Sequence, residues 1–71
     1  MKAHRITEYD LHVTAPAGQG RSLTSFIKAL RQAGLKAWKL DTRAYQVSFA
    51  EQPELRAALP PIGTEYDIPS V

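Results

Sequence analysis

With 71 residues, no cysteine, and nine Lys and Arg against seven Asp and Glu, the chain has room for one domain with one small core, expected over residues 1–71. Disulfides, thiolate metal sites and thiol catalysis are excluded, and a formal charge of +2 permits binding to nucleic acid without demanding it. The start, Met1-Lys2-Ala3-His4-Arg5, has no apolar signal core, and no run of about 18 apolar residues follows, so the expectation is a cytoplasmic chain without membrane contact.

Taken in order, residues His4 to Val13 predict a first strand. Thr7, Tyr9, Leu11 and Val13 fall on one face and His4, Glu8, Asp10 and His12 on the other, with Ile6 the one exception. Thr14 to Arg21 reads as a loop on its Pro and Gly content, and Ser22 as the N-cap of a helix running to Ala33. Leu23, Phe26, Ile27, Leu30 and Ala33 recur with a period near 3.6 and make one apolar stripe. Gly34 then suits the left-handed position after the helix, with Leu35 returning over Leu30.

Two short runs, Lys36 to Leu40 and Arg43 to Ala50, predict a hairpin around Asp41-Thr42. In a two-residue-loop register Trp38 faces Tyr45 and joins Val47 and Phe49 on the buried side, leaving Gln46 and Ser48 outside, whereas a three-residue loop turns Trp38 to the opposite face. Glu51 to Leu59 reads as a second helix with Pro53 in its first turn and Pro60-Pro61 after it. Gly63 leads into a last strand, Thr64 to Ile68, closed by Pro69. Thr-Glu-Tyr-Asp occurs twice, at Thr7–Asp10 and Thr64–Asp67, and both copies are expected in strands with Tyr inward.

The element order is then β-α-β-β-α-β. It predicts an α+β fold of the ferredoxin-like βαββαβ kind, a four-stranded antiparallel sheet with two helices on one face. The first and last strands would be neighbours, with the third on the other side of the first. The open face would carry His4, Glu8, Asp10, His12, Glu65 and Asp67, the expected partner-binding residues.

The loop Ala15-Pro16-Ala17-Gly18-Gln19-Gly20-Arg21-Ser22 has a relaxed phosphate-loop spacing with Arg21 in place of Lys. Nucleotide hydrolysis needs a parallel sheet and a carboxylate to manage Mg²⁺, which this order of elements does not supply. Gly18, Gly20, Arg21 and Ser22 remain a candidate anion contact at a helix start. A strand, a Gly-rich turn and an Arg at a helix start are loosely similar to acylphosphatases. That resemblance implies a phosphate-holding Arg and a water-orienting Asn, but the chain contains no Asn, and only an anion contact at Arg21 carries over.

Residues two apart along a strand lie about 6.5–7 Å apart, so the imidazoles and carboxylates of the open face meet on one ion only where cross-strand neighbours complete the set, and no metal or cofactor is expected. Arg43 to Phe49 distantly resembles the aromatic motif of RNA-recognition domains, one residue short and without its glycine. Because Tyr45, Val47 and Phe49 are the only core candidates on their strand, they are assigned inward instead. Ala33-Gly34 after the first helix, in a chain of this size and order, is similar to peptidoglycan-binding SPOR domains in topology alone.

Between Arg21 and Arg43 lie six basic residues, Arg21, Lys28, Arg31, Lys36, Lys39 and Arg43, and one acid, Asp41. The preferred expectation is a stand-alone, non-enzymatic regulatory or inhibitor module that binds a protein partner through the open face or the edge strand Lys36–Leu40. That edge could also pair with its own copy in a homodimer. The alternative is a nucleic-acid binder using the basic side.

Overall fold

The computed structural model describes residues 1–68, so Pro69, expected to close the last strand, lies outside the described residues. The chain folds as a small α+β unit with one five-stranded antiparallel sheet in the order β3-β4-β2-β1-β5. The strands are β1 (Lys2–Arg5), β2 (Asp10–Thr14), β3 (Lys36–Asp41), β4 (Ala44–Ser48) and β5 (Glu65–Asp67), with helices α1 (Gly20–Gln32) and α2 (Pro53–Arg56) between them. A four-stranded ferredoxin-like sheet under two helices is therefore incorrect, for two reasons.

First, residues 4–13 are a hairpin and not one strand. The reversal sits at Ile6, where the alternation breaks: Ile6 N–H donates to the Asp10 carbonyl at 3.0 Å, leaving Thr7-Glu8-Tyr9 as the turn. The Thr7 hydroxyl donates to Asp10 Oδ2 at 2.8 Å and accepts from Tyr9 N–H at 3.3 Å, a side-chain closure that competes with extended pairing. Second, α2 spans only four residues and buries none of them, too little to form a second helical layer.

Residues Pro16 to Gln19 form a turn closed by Gln19 N–H to the Pro16 carbonyl at 3.1 Å, with Gly18 at φ +85°. A positive φ at the third residue is what a type II turn requires, and it delivers the chain into α1 three residues earlier than expected. Gln19 is the N-cap and Ser22 lies within the first helical turn, so Ser22 does not cap. Four of the five expected stripe residues face the core: Leu23 and Ile27 are fully buried, with Phe26 and Leu30 packed beside them, while Ala33 is the exposed C-cap. At the far end Leu35 N–H donates to the Leu30 carbonyl at 3.1 Å and Gly34 N–H to that of Arg31 at 3.0 Å. With Gly34 at φ +94°, this is the Schellman closure. Gln52, at the start of α2, donates its amide to the Ala33 carbonyl at 2.8 Å and satisfies another helix-end acceptor.

The inner sheet face contributes Ala3, Leu11, Val13 and Val47, which together with Met1, Ala15, Leu23, Ile27, Leu35 and Phe49 make the core. In the β3–β4 hairpin the loop is Thr42-Arg43, closed by the pair Asp41 and Ala44, and a bulge between Lys39 and Asp41 absorbs Leu40. That extra residue shifts the pairing by one: Lys39 faces Tyr45 and Trp38 faces Gln46. Trp38 accordingly stands on the outer face, the side expected for a three-residue loop and not for a two-residue one, and is 49% exposed.

Gly34→Ala is expected to lower stability by about 1–2 kcal/mol, because a Cβ there sits 2.8 Å from Gln52 Nε2 on a left-handed backbone. Gly20→Ala, whose Cβ meets nothing within 4 Å, is expected to be neutral or stabilising. The urea midpoints of the two variants at unchanged slope check the contrast.

Candidate functional site

The uncovered face is ordered by the register of all five strands. Trp38 pairs with Gln46, Gln46 with His12, His12 with His4, and His4 with Glu65, so one row of side chains crosses the sheet. Beside it run Lys36, Ser48 and Asp10 on one flank and Ala44, Thr14, Lys2 and Asp67 on the other. Five of the six expected face residues, His4, Asp10, His12, Glu65 and Asp67, are on this surface. Glu8 is not: it occupies the β1–β2 turn, 3.8 Å from the Arg56 guanidinium.

Charge on this face is mixed. Lys2 Nζ lies 3.6 Å from Glu65 Oε1, and the exposed pair is worth little to stability. Asp10 is held by the Thr7 hydroxyl. Gln46 is on this face as expected, and Trp38 joins it on the side expected for a longer β3–β4 loop, set here by the bulge at Leu40.

The basic residues expected as one patch divide by environment. Arg31 donates through Nη2 to the Ala37 carbonyl at 2.8 Å, with its guanidinium carbon 5.8 Å from the centre of the Tyr45 ring, so it fastens α1 to the sheet. Lys36 pairs with Glu51 at 3.0 Å. Lys28, Lys39, Arg43 and Arg21 are exposed and form no ion pair with the described residues. Of the expected anion contact, Gly18 belongs to the turn and Gly20, Arg21 and Ser22 open α1. Arg21 and Ser22 line a shallow depression with Met1, Ser25 and Phe26.

Register also settles which backbone groups face outward on β3. Phe49 N–H donates to the Tyr9 carbonyl and Ala15 N–H to that of Arg43, which makes Val47 and Tyr45 the residues of β4 that bond β2. Gln46 and Ser48 must then bond β3, and the N–H and C=O groups of Ala37 and Lys39 point to the free edge. The Arg31 guanidinium occupies the Ala37 carbonyl, Lys39 carries a charge along the same edge, and the bulge at Leu40 interrupts it.

Among the described residues no helix is long and apolar enough to cross a membrane, and no three or more His, Cys, Asp or Glu gather as a metal set. Compared with protein-family models, curated proteins and solved structures, the chain matches none of them.

On the inner face Tyr66 is half-buried beside Ala3 and Arg5. Burial raises its phenol above the ordinary value of 10.0, and the Arg5 charge opposes that only in part. A raised phenol holds its proton longer in the folded chain, so this contribution is intact below about pH 10 and is lost as pH rises above it. Tyr66→Phe is expected to flatten the loss of stability above pH 10 relative to the parent chain, measured by urea unfolding across that range.

Proposed function

We propose that this chain is a small, non-enzymatic interaction module that binds a protein partner on the open face of its sheet, with Trp38 as the anchor. The observation that carries this reading is the position of Trp38. It is the only tryptophan of the chain, half exposed on the outer face of a strand, in a register that could have buried it. Exposed aromatic side chains surrounded by polar groups are the usual centre of a protein interface, because they contribute large contact area with few rotamers to freeze.

The sheet face is a better contact than the β3 edge. Strand addition at Ala37 and Lys39 would have to displace Arg31 from the Ala37 carbonyl, accommodate Lys39 and tolerate the Leu40 bulge. These are the devices by which sheet edges resist pairing. The same features weigh against a homodimer built through β3.

Nucleic acid on the helix side is the second reading, supported by Lys28, Lys39, Arg43 and Arg21, which no acid neutralises among the described residues. Asp10, Asp41, Glu65 and Asp67 place negative charge on the sheet side, where phosphates would be repelled.

The two readings separate by affinity capture with matched variants. A protein retained by the parent chain should be lost with Trp38→Ala and kept with the double variant Lys28→Glu, Lys39→Glu. Trp38→Ala should change stability by no more than about 1 kcal/mol, since its side chain is half exposed. Retention that survives Trp38→Ala but disappears with the lysine variant, or with nuclease or raised salt, would replace the protein reading with the nucleic-acid one.

A further inference from the structure

His4 and His12 are eight positions apart in the sequence, and the turn at Thr7-Glu8-Tyr9 brings them directly opposite one another on β1 and β2. The kind of pair follows from its neighbour. Ile6 and Asp10 share a backbone hydrogen bond, and bonded and unbonded pairs alternate, so His4 and His12, two positions along, form a bonded pair. Their side chains leave the same face with Cβ atoms about 4.5–5.5 Å apart. Neither imidazole has a hydrogen bond or an ion pair with the described residues.

We propose that His4 and His12 chelate one imidazole-preferring divalent metal, of the class of Zn(II), Cu(II) or Ni(II), through one ring nitrogen each. Ring nitrogens bind such ions at about 2.0–2.1 Å, which puts two of them on one ion closer together than the two Cβ atoms. The rings therefore need only lean toward each other, with no movement of the strands. Hard cations such as Mg(II) prefer oxygen donors and gain nothing here.

The site has two protein ligands. Glu65 lies on the far side of His4 and is engaged by Lys2, and Gln46 lies beside His12. The remaining coordination positions go to water or to a donor brought by whatever lies on the face. Such a site is open and weak beside a closed four-ligand centre, and it depends on pH because imidazole ligates only when neutral. The inference is independent of whether the face binds a protein.

The test is calorimetric titration of the untagged whole chain with Zn(II), Ni(II) and Mg(II) in a non-chelating buffer. One equivalent of Zn(II) or Ni(II) should bind, Mg(II) should not, and affinity should fall as the pH is lowered. His4→Ala and His12→Ala should each cost at least about tenfold, no less than the loss of a supporting group around a metal ligand, whereas Asp67→Asn should cost nothing.

A second readout needs no variant. The chain has two histidines, and the ring-proton signals of both should move together when Zn(II) is added to the parent protein. Cu(II) should also quench the emission of Trp38, which stands two strands, about 10 Å, from His12 in the same row. Binding that survives the double alanine variant, falls equally with Asp67→Asn, is matched by Mg(II), or shifts only one histidine would overturn the proposal.

Discussion

Arg5 ties three separated parts of the chain to one side chain, and the sheet depends on that tie. Its guanidinium donates to the Pro60 carbonyl at 2.8 Å and to the Glu8 carbonyl at 3.1 Å, while its backbone accepts from Gly63 N–H and donates to the Thr64 carbonyl. The first turn, the loop before β5 and the β1–β5 pairing are thus held together. Charge-assisted bonds to carbonyls are among the stronger neutral-to-ion contacts. They also offset a cost at the same residue, since Arg5 Nε is buried without a partner among the described residues. Arg56 reinforces the corner from α2, its guanidinium 4.5 Å above the Tyr9 ring and 3.8 Å from Glu8. With that corner fixed, the N-terminal residues return as a hairpin, and His4 comes to face His12.

The repeated tetrapeptide shows how far local sequence reaches. Thr7-Glu8-Tyr9-Asp10 is a reversal and Thr64-Glu65-Tyr66-Asp67 is mostly strand. In the first copy Thr7 and Asp10 bond each other through their side chains, and Tyr9 is left exposed. In the second, Pro61 and Gly63 complete the turn beforehand and β1 stands opposite, so Tyr66 goes inward against Ala3. Identical residues adopt different conformations because the groups offered to them differ, and a pattern of alternation carries no record of those groups. The clue in the first copy was Ile6, the one residue out of phase.

Helix α1 was legible for the opposite reason. Its stripe spans three turns, and its end is specified locally by Gly34 and Leu35, so no distant partner is needed to define it. Its start was not, because Gly18 turns the chain before Ser22 is reached. The antiparallel pairing of β3 with β4 follows from their short connection, and that of β4 with the strand that precedes α1 from the order of the elements and inward Leu11, Val13 and Val47. The β3 register was not legible. Lys36 to Asp41 alternates weakly, with Ala37 and Lys39 on one side and Trp38 on the other, so one bulged residue decides the face. Five of the six residues expected on the open face therefore lie on it, while the face of Trp38, which alternation left to the hairpin loop, was decided by the bulge.

The absence of a second helical layer bears on both surfaces. Below the sheet, Leu59, Tyr66 and Ile68 are only partly buried, while Leu55 and Ile62 stay exposed. A core of this size leaves a thin margin against chain entropy. Regular pairing through Leu40 would place Trp38 opposite Val47, on the inner face. Instead it stands outside, in a row with Gln46, His12 and His4, where it adds little to the core. The protein contact proposed above would give that exposed position a role that packing within the described residues does not.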